Sequence, residues 1–393
     1  MTRAEAAEKL QLSERQVYRI QHAYREKGEQ GLVHGNRGKA SHRRVKEKDR
    51  TLIIELLEGT YQDYNTLHFQ EVLEEKYGVK VSYGTLQTIR KECGHPTPRK
   101  KKKRKHRSRR PRRPIYGMML QGDASIHDWL EGRGPRLALI AWIDDATNWV
   151  WAIFREYEDA AGYLEVLQQI CLTEGIPMQV YTDRRNVFQD PRQLSIDEQL
   201  AGKQRNSHFK EVLDRLGIEL IQANSPQAKG RVERLFETLQ DRLVKALREA
   251  GASSLQEAND VLQTFLPEYN RRFHKKAAQE NSSAFVPWEP SLLPYDLFCF
   301  RYTRTVRNDN TISFGNTILQ IPPGKHRRHF AKAIVELRQH LDCVLTVHYH
   351  GVQIASFAQA QVFPLRIGAF IPLPEQPGLI DFVPEPISLE LIA

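Results

Sequence analysis

Three acidic residues stand in settings suited to metal-assisted chemistry at phosphorus. Asp123 closes the short apolar run Met118-Met119-Leu120-Gln121-Gly122, and Asp183 closes a second, Met178-Gln179-Val180-Tyr181-Thr182. Glu233 lies in the first turns of a long helical pattern that opens Ser225-Pro226-Gln227-Ala228-Lys229-Gly230-Arg231-Val232. Two strand ends and one helix can bring three carboxylates to a common point. Carboxylate oxygens are what hard divalent cations take as ligands, and a pair of such cations can drive in-line displacement at phosphorus. An acid at a strand end is ordinarily a turn residue, so the weight rests on the three together. Glu237 and Asp241 follow Glu233 at successive turns of the same helical face, and either can serve as the third ligand instead. Glu233 is preferred because it is nearest the helix start, where the loop points toward the sheet end. Asp144 and Asp145 also form a pair, but the turn cluster Asp144–Asn148 gives them a structural role. Beside Glu233, Ser225-Pro226 stops the preceding strand and Gly230 permits close backbone approach. Lys229 and Arg231 bring positive charge for phosphate.

The elements that must position these residues follow from periodicity. Tyr116–Asp123, Leu137–Ile143 and Trp149–Phe154 predict three strands, joined by connections short enough for antiparallel neighbours. A helix over Ala160–Thr173 comes next, then the strand ending at Asp183. A helix at His208–Leu216, a strand at Glu219–Ala223 and a long helix from Lys229 to Ala250 complete the series. Such an order gives a mixed five-stranded sheet with helices on both faces, the arrangement of the ribonuclease H-like fold. The polar stretch Arg184–Asn206 predicts a mobile loop beside Asp183, ordered when DNA or metal binds.

The flanks read as apparatus for DNA. Residues 3–27 predict two short helices with Ser13 as the second N-cap and Val17, Ile20 and Tyr24 as a buried stripe. Arg15, Gln16 and Arg19 between them can reach phosphates or base edges, as in the last two helices of a helix-turn-helix. A Gly- and Arg-bearing connector follows. Residues 47–93 predict a second helix-turn-helix, whose Ser82-capped third helix offers Tyr83 and Arg90. Arg99–Arg113 then carries a dozen Lys and Arg and no acid, with Lys101, Lys102, Arg104 and Arg107 among them. Such a run repels itself unless solvated or bound to phosphate, and its prolines keep it extended. The formal charge of +10 agrees with a polyanionic partner. From Phe298 on, short strands with tight turns predict a small β-barrel whose basic loop, with Arg327 and Arg328, contacts DNA backbone. The domain plan is therefore 1–40 helix-turn-helix and connector, 41–95 second helix-turn-helix, 96–114 basic linker, 115–280 catalytic core, 281–375 β-barrel and 376–393 irregular tail.

Composition closes off other classes. Four cysteines stand far apart with no CxxC spacing, which indicates neither a disulfide framework nor a zinc module and fits a reducing cytosol. No apolar stretch reaches the ~18 residues of a membrane span.

The segments Gln121–Gly132, Ile143–Thr147 and Ser225–Gln240 resemble the integrase-type catalytic core of DDE transposases, in particular the ISNCY group of insertion-sequence transposases. The resemblance covers nearly the whole chain. It implies Asp123, Asp183 and Glu233 as the metal-binding triad, with two Mg²⁺ (or Mn²⁺) ions per active site. It also implies double-stranded DNA, both transposon ends and target, as partner, a homodimer or homotetramer on that DNA, and a cytoplasmic, nucleoid-associated setting. The implied chemistry is strand cleavage by activated water, then attack of the freed 3′-hydroxyl on target DNA. His127 and Trp129, close after Asp123, are candidates to meet the substrate strand, and Trp129 is equally a packing residue. The chain departs from the family's pattern at its first helix-turn-helix, which lacks a leading helix, and at Ala124, where glycine or serine is expected. Two other readings compete: a catalytically silent DNA-binding regulator derived from a transposase, and a ribonuclease H-type nuclease acting on RNA–DNA hybrids.

Overall fold

Capping residues set the helix starts of the N-terminal unit. Thr2 and Glu5 form a capping box at α1 (Arg3–Leu10), and the Ser13 hydroxyl accepts from Gln16 N–H at the start of α2 (Glu14–Lys27). After α3 (Glu47–Glu58), Asn65 caps α4 (Thr66–Tyr77) and Ser82 caps α5 (Tyr83–Glu92). Each cap satisfies an N–H that has no partner inside the helix. The computed structural model describes residues 2–33, 37, 44–96, 111–183, 207–222, 230–315, 317–324, 327–359 and 370–372. These fall into two units, Met1–Arg104 and Lys105–Ala393. Helices α3–α5 close on Ile53, Leu57, Phe69, Leu73 and Leu86. The core between α1 and α2 is much smaller, built on Ala6, Ala7 and Val17. The expected stripe on α2 is therefore only partly met: Val17 is buried, whereas Ile20 and Tyr24 are exposed.

The second unit opens with a five-stranded sheet of β1 (Leu120–His127), β2 (Leu137–Asp144), β3 (Val150–Arg155), β4 (Gln179–Thr182) and β5 (Glu219–Gln222). Its order is β3-β2-β1-β4-β5, antiparallel through the first three strands in sequence and parallel at β1/β4 and β4/β5. The mixed five-stranded sheet is the one expected from the series of elements, and pairing supplies its lateral order. One boundary differs. β1 continues past Asp123 to His127 because β2 accompanies it as far as the His127/Leu137 pair. An acid need not end a strand whose neighbour still supplies hydrogen bonds.

Side-chain alternation assigns the two faces. Leu120 and Ala124 of β1, with Ile140 and Trp142 of β2, pack against α6 (Ala160–Thr173) and α7 (His208–Leu216). Leu137, Leu139, Ala141 and Ile143 face the other way, onto α8 (Gly230–Glu249) and α9 (Leu255–Phe273). β3 is an edge strand, and α9 covers it with two asparagines. Asn259 takes the N–H of Phe154 at 2.8 Å and donates to its carbonyl at 3.1 Å. Asn270 does the same for Val150, both bonds at 2.9 Å.

Beyond the short α10 (Pro294–Leu297) come β6 (Cys299–Thr305), β7 (Thr311–Phe314), β8 (Thr317–Gln320), β9 (Ile334–His340), β10 (Leu345–Tyr349), β11 (Val352–Gln359) and β12 (Phe370–Pro372). The strands are where alternation places them, but the expected barrel is not formed among the described residues. Instead there is an open antiparallel sheet, β12-β11-β10-β9-β6, and a separate β7–β8 ribbon. β6 pairs with β9 over its full length, and β7 turns back onto β8, so β6 and β12 stay at opposite edges. The four cysteines are free, and among the described residues no helix is long and apolar enough to cross a membrane.

Candidate active site

The β1/β4 ladder runs toward the two aspartates. Parallel pairing of β1 with β4 sets Leu120 opposite Val180 and Gln121 opposite Tyr181. The ladder ends there; carried on by two residues, the same offset would set Asp183, the residue after β4, opposite Asp123. Adjacent strands lie about 4.8 Å apart and in-register residues share a face, so both carboxylates leave the sheet on one side. That side is the one covered by α8 and α9, because Asp123 alternates with Leu120 and Ala124, which face α6 and α7. Asp123 is half-buried, and its Oδ1 accepts from the N–H of Ala124 at 3.0 Å.

Helix α8 carries the third acid past the same point. Near its start, Arg231 Nη1 donates to Asp145 Oδ1 at 2.5 Å, and Gln121 Nε2 on β1 donates to the same oxygen at 2.5 Å. Further along, Gln240 Nε2 donates to Ser125 Oγ at 3.1 Å. From Arg231 to Gln240 a helix rises about 13 Å, and from Gln121 to Ser125 a strand advances about the same. The helix therefore runs alongside this part of β1 and passes Asp123 on the way. Val232, Leu235, Phe236 and Leu239 bury its inner stripe in the core. The flank that meets Ser125 through Gln240 carries Glu237 and Glu233 one and two turns earlier, and both are exposed. Asp241, the remaining alternative, accepts from the buried Lys245 at 3.0 Å. Among the described residues no three His, Cys, Asp or Glu side chains are gathered in a metal-holding group. Segments 184–206 and 223–229, which adjoin Asp183 and α8, lie outside the described residues.

Asp144 and Asp145 are structural, as their turn position predicts, and both are fully buried. Asp144 accepts from Gly117 N–H and from the backbone and hydroxyl of Thr147, while burial pushes its carboxyl above the ordinary range. Asp145 accepts from Arg113 N–H at 2.7 Å in addition to Gln121 and Arg231. Arg112 donates to the carbonyls of Asp145 and Ala146 and to the side chain of Asn148, and burial lowers its pKa. Sequence reasoning missed this cluster. Its signals were a glutamine at an inward position of an apolar strand and twin arginines closing the basic linker.

The other candidates divide. Arg15, Gln16, Arg19 and Tyr83 are exposed on α2 and α5. Arg90 is not available to DNA: it is 1% exposed, with Nε donating to His95 O at 3.0 Å and Nη2 to Gln62 O at 3.3 Å. It follows Leu86 and Ile89 on the inward stripe of α5, and that spacing was the overlooked signal. Arg231 is likewise directed to Asp145 and only 13% exposed, so it is a packing cation rather than a phosphate contact. Gly230 is not required by close approach within the described residues, since a Cβ there would meet only Arg234 Nη2 at 4.0 Å. Trp129 is a core residue whose Nε1 donates to Ser125 O at 3.1 Å, and His127 stands edge-on to its ring. Arg327 and Arg328 are exposed; Arg327 lies over the Phe330 and Tyr349 rings and donates to the Tyr349 hydroxyl at 2.7 Å. Lys101, Lys102, Arg104, Arg107 and Lys229 lie outside the described residues.

Known proteins resemble this chain in three ways. A winged helix-turn-helix family model matches residues 1–50. The inferred transposase y4bF of Sinorhizobium fredii is 33% identical over 353 residues, covering 89% of this chain and 76% of that relative. The transposase for insertion sequence IS1202 of Streptococcus pneumoniae is 34% identical over 310 residues, covering 70% of this chain and 65% of its own. Among solved structures, a chain of the simian T-cell lymphotropic virus intasome in complex with the PP2A regulatory subunit B56 gamma aligns with 81% of this chain and 96% of its own, at 16% identity and a TM-score of 0.33.

Proposed function

The chain belongs to the insertion-sequence transposases, and we propose that it is a DDE-type polynucleotidyl transferase that binds transposon ends, cleaves a DNA strand there and joins it to target DNA. The observation that supports this reading is the parallel pairing of β1 and β4, which leads toward Asp123 and Asp183, with a carboxylate-bearing helix running alongside β1 on the face to which Asp123 belongs. Asp123, Asp183 and Glu233 offer an all-oxygen donor set, which fits Mg²⁺ or Mn²⁺ and does not fit a softer metal. Two such ions, when bound, supply Lewis acidity at the attacking and leaving oxygens of a phosphodiester.

The protein's own part is placement. In this reading the β1/β4 pairing directs Asp123 and Asp183 toward one another, and α8, anchored at Arg231 and Gln240, brings Glu233 toward them when metal and DNA bind. The fully buried Trp129 stiffens the strand end after Asp123, and His127 beside it is positioned to meet the substrate strand. Arg15, Gln16, Arg19 and Tyr83 read the transposon end. Lys101, Lys102, Arg104, Arg107, Lys229, Arg327 and Arg328 hold phosphates without regard to sequence. Two ends must be held at once, so the working form is a homodimer or homotetramer on DNA in the nucleoid.

The test uses the purified chain with end-bearing DNA and Mg²⁺. Asp183→Asn is expected to abolish strand joining while gel-shift affinity stays nearly unchanged. Joining at the wild-type rate would remove Asp183 from the triad and the reading with it.

A further inference from the structure

The buried Asp145 touches the strand of Asp123, the helix of Glu233 and the end of the basic linker. Its carboxylate is 0% exposed and receives three donors from three elements. Gln121 Nε2 comes from β1, two residues before Asp123; Arg231 Nη1 comes from α8, two residues before Glu233. The third is the N–H of Arg113, at the end of the basic linker. Arg112 adds a further clamp, through one Nη1 that reaches the carbonyls of Asp145 and Ala146 and the Asn148 side chain. The turn itself is rigid, since Asp144 ties it to Gly117 and Thr147 and Asp145 N–H donates to Met119 O at 3.0 Å.

A buried charge of this kind is costly to desolvate and is retained only with full pairing. Here the pairing spans the gap between the strand of one acid and the helix of another. We infer that Asp145 is a positioning residue for the metal site: through Gln121 and Arg231 it sets the distance between Asp123 and Glu233, and it fastens the DNA-binding linker to that same joint. The inference rests on reading Asp123 and Glu233 as metal ligands. It goes further in giving the turn between β2 and β3 a role in metal affinity and in coupling linker occupancy to the site.

Charge gives a means of separating position from field. Asp145→Asn removes a negative charge near the site, and Arg231→Met removes a positive one. Acting through field alone, the two changes must move divalent-ion affinity in opposite directions. Acting through position, both must weaken it. The experiment titrates the full chain with Mn²⁺ and follows free ion by electron paramagnetic resonance, with thermal unfolding by circular dichroism alongside. Both single variants are expected to weaken Mn²⁺ binding by about tenfold, the scale of removing a group that supports a metal ligand. The double variant is expected to lose no more than the worse single, because one joint is broken in each case. Arg231→Lys, which keeps the charge, is expected to retain most of the affinity, and it carries the test together with Arg231→Met if Asp145→Asn does not fold. Unchanged affinity in folded variants, or opposite shifts in the two singles, overturns the positioning role. Asp123→Asn serves as the separate control: wild-type Mn²⁺ binding by that variant would overturn the metal site itself, whatever the Asp145 series shows.

Discussion

Gly122 allows the site's geometry to be tested without touching a carboxylate. A Cβ at this position would lie 2.5 Å from Cζ3 of Trp142, 2.7 Å from Cη2 and 2.8 Å from Cε3. Carbon atoms pack at about 3.5–4 Å, so Gly122→Ala demands about 1 Å of movement from the ring or from the strand. The ring has little freedom. Its Nε1 donates to Tyr163 O at 3.1 Å, and its plane lies 8° from that of Phe209 at a centroid distance of 6.4 Å. Moving it by about 1 Å takes the indole hydrogen bond beyond useful range. Overpacking costs about 1–3 kcal/mol, and an unpaired buried N–H about 1–3 more. The expected loss is thus about 2–6 kcal/mol out of a total stability of about 5–15. If the strand yields instead, Asp123, the next residue, shifts against Asp183, and Mn²⁺ affinity falls. Urea unfolding followed by tryptophan fluorescence reads the first outcome, and Mn²⁺ titration reads the second. A control is available at Gly230, where an added Cβ meets only Arg234 Nη2 at an uncrowded 4.0 Å and Gly230→Ala is expected to stabilise α8 by about 0.5–1 kcal/mol. A Gly122→Ala protein with stability within about 0.5 kcal/mol of wild type and unaltered Mn²⁺ affinity would refute the packing argument.

Three further outcomes rest on other parts of the same chain. Deleting 99–110, which leaves the docked Arg112 and Arg113 in place, should weaken binding to all DNA sequences alike and flatten the plot of log affinity against log salt by about 0.9 for each phosphate no longer neutralised; an unchanged slope in filter binding would count against the linker. Asn270→Ala strips both partners from the Val150 edge and should cost about 2–4 kcal/mol in chemical denaturation; a loss under about 0.5 kcal/mol would mean that water replaces the amide there. His340 and His348 share the Thr346 hydroxyl at 2.8 and 2.9 Å, and burial outweighs Asp296 and Asp342 in pushing His340 below 6.5, as burial and Arg338 do for His348. The folded chain therefore binds fewer protons than the unfolded chain in acid, and the C-terminal sheet should lose stability as pH falls below about 6.5; hydrogen exchange of β9 and β10 that is equally slow at pH 7.5 and pH 5.5, after correction for intrinsic rates, would refute it.

Periodicity made the core legible because each of its elements obeys a local rule. Ala160–Thr173 and His208–Leu216 were readable to the residue, since an acid or serine caps each and the apolar spacing is helical throughout. Asp183 was readable as the acid that follows a strand, whereas Asp123 stands inside β1, which runs on to His127. Which strand lies beside β1, and with what offset, comes only from the pairing of Leu120 with Val180 and Gln121 with Tyr181. The Asp145 joint was hidden for a similar reason: its partners come from 24 and 86 residues away along the chain, and no spacing rule reaches across such distances. Arg90 and Arg231 show the opposite failure. A cation beside a recognition motif suggests phosphate, yet both side chains found backbone or carboxylate partners inside the protein. Barrel closure was out of reach of alternation as well, which marks which residues face inward but not which edges meet.

The position of the candidate site follows from what β1 does at Gln121. Up to that residue it is paired on both sides, with β2 antiparallel and β4 parallel. Beyond it β2 continues to Leu137 while the ladder with β4 stops, so one side of β1 loses its strand partner while the other keeps it. Asp123 lies two residues past this divergence and turns its own carboxylate onto the Ala124 N–H. A sheet that opens between parallel strands leaves a crevice at their carboxyl ends, where ligands of open α/β sheets are held. Asp183 follows directly after β4 at that end of the sheet, and α8 runs along the covered face. Holding the crevice at a fixed width then falls to interactions outside the strand ladder. Gln121 and Arg231 on Asp145 secure one end of the α8–β1 seam, and Gln240 on Ser125 secures the other. Breaking either anchor should alter the site while leaving the sheet intact, and this is why the positioning residues belong to the turn and the helix, not to the strands that carry the aspartates.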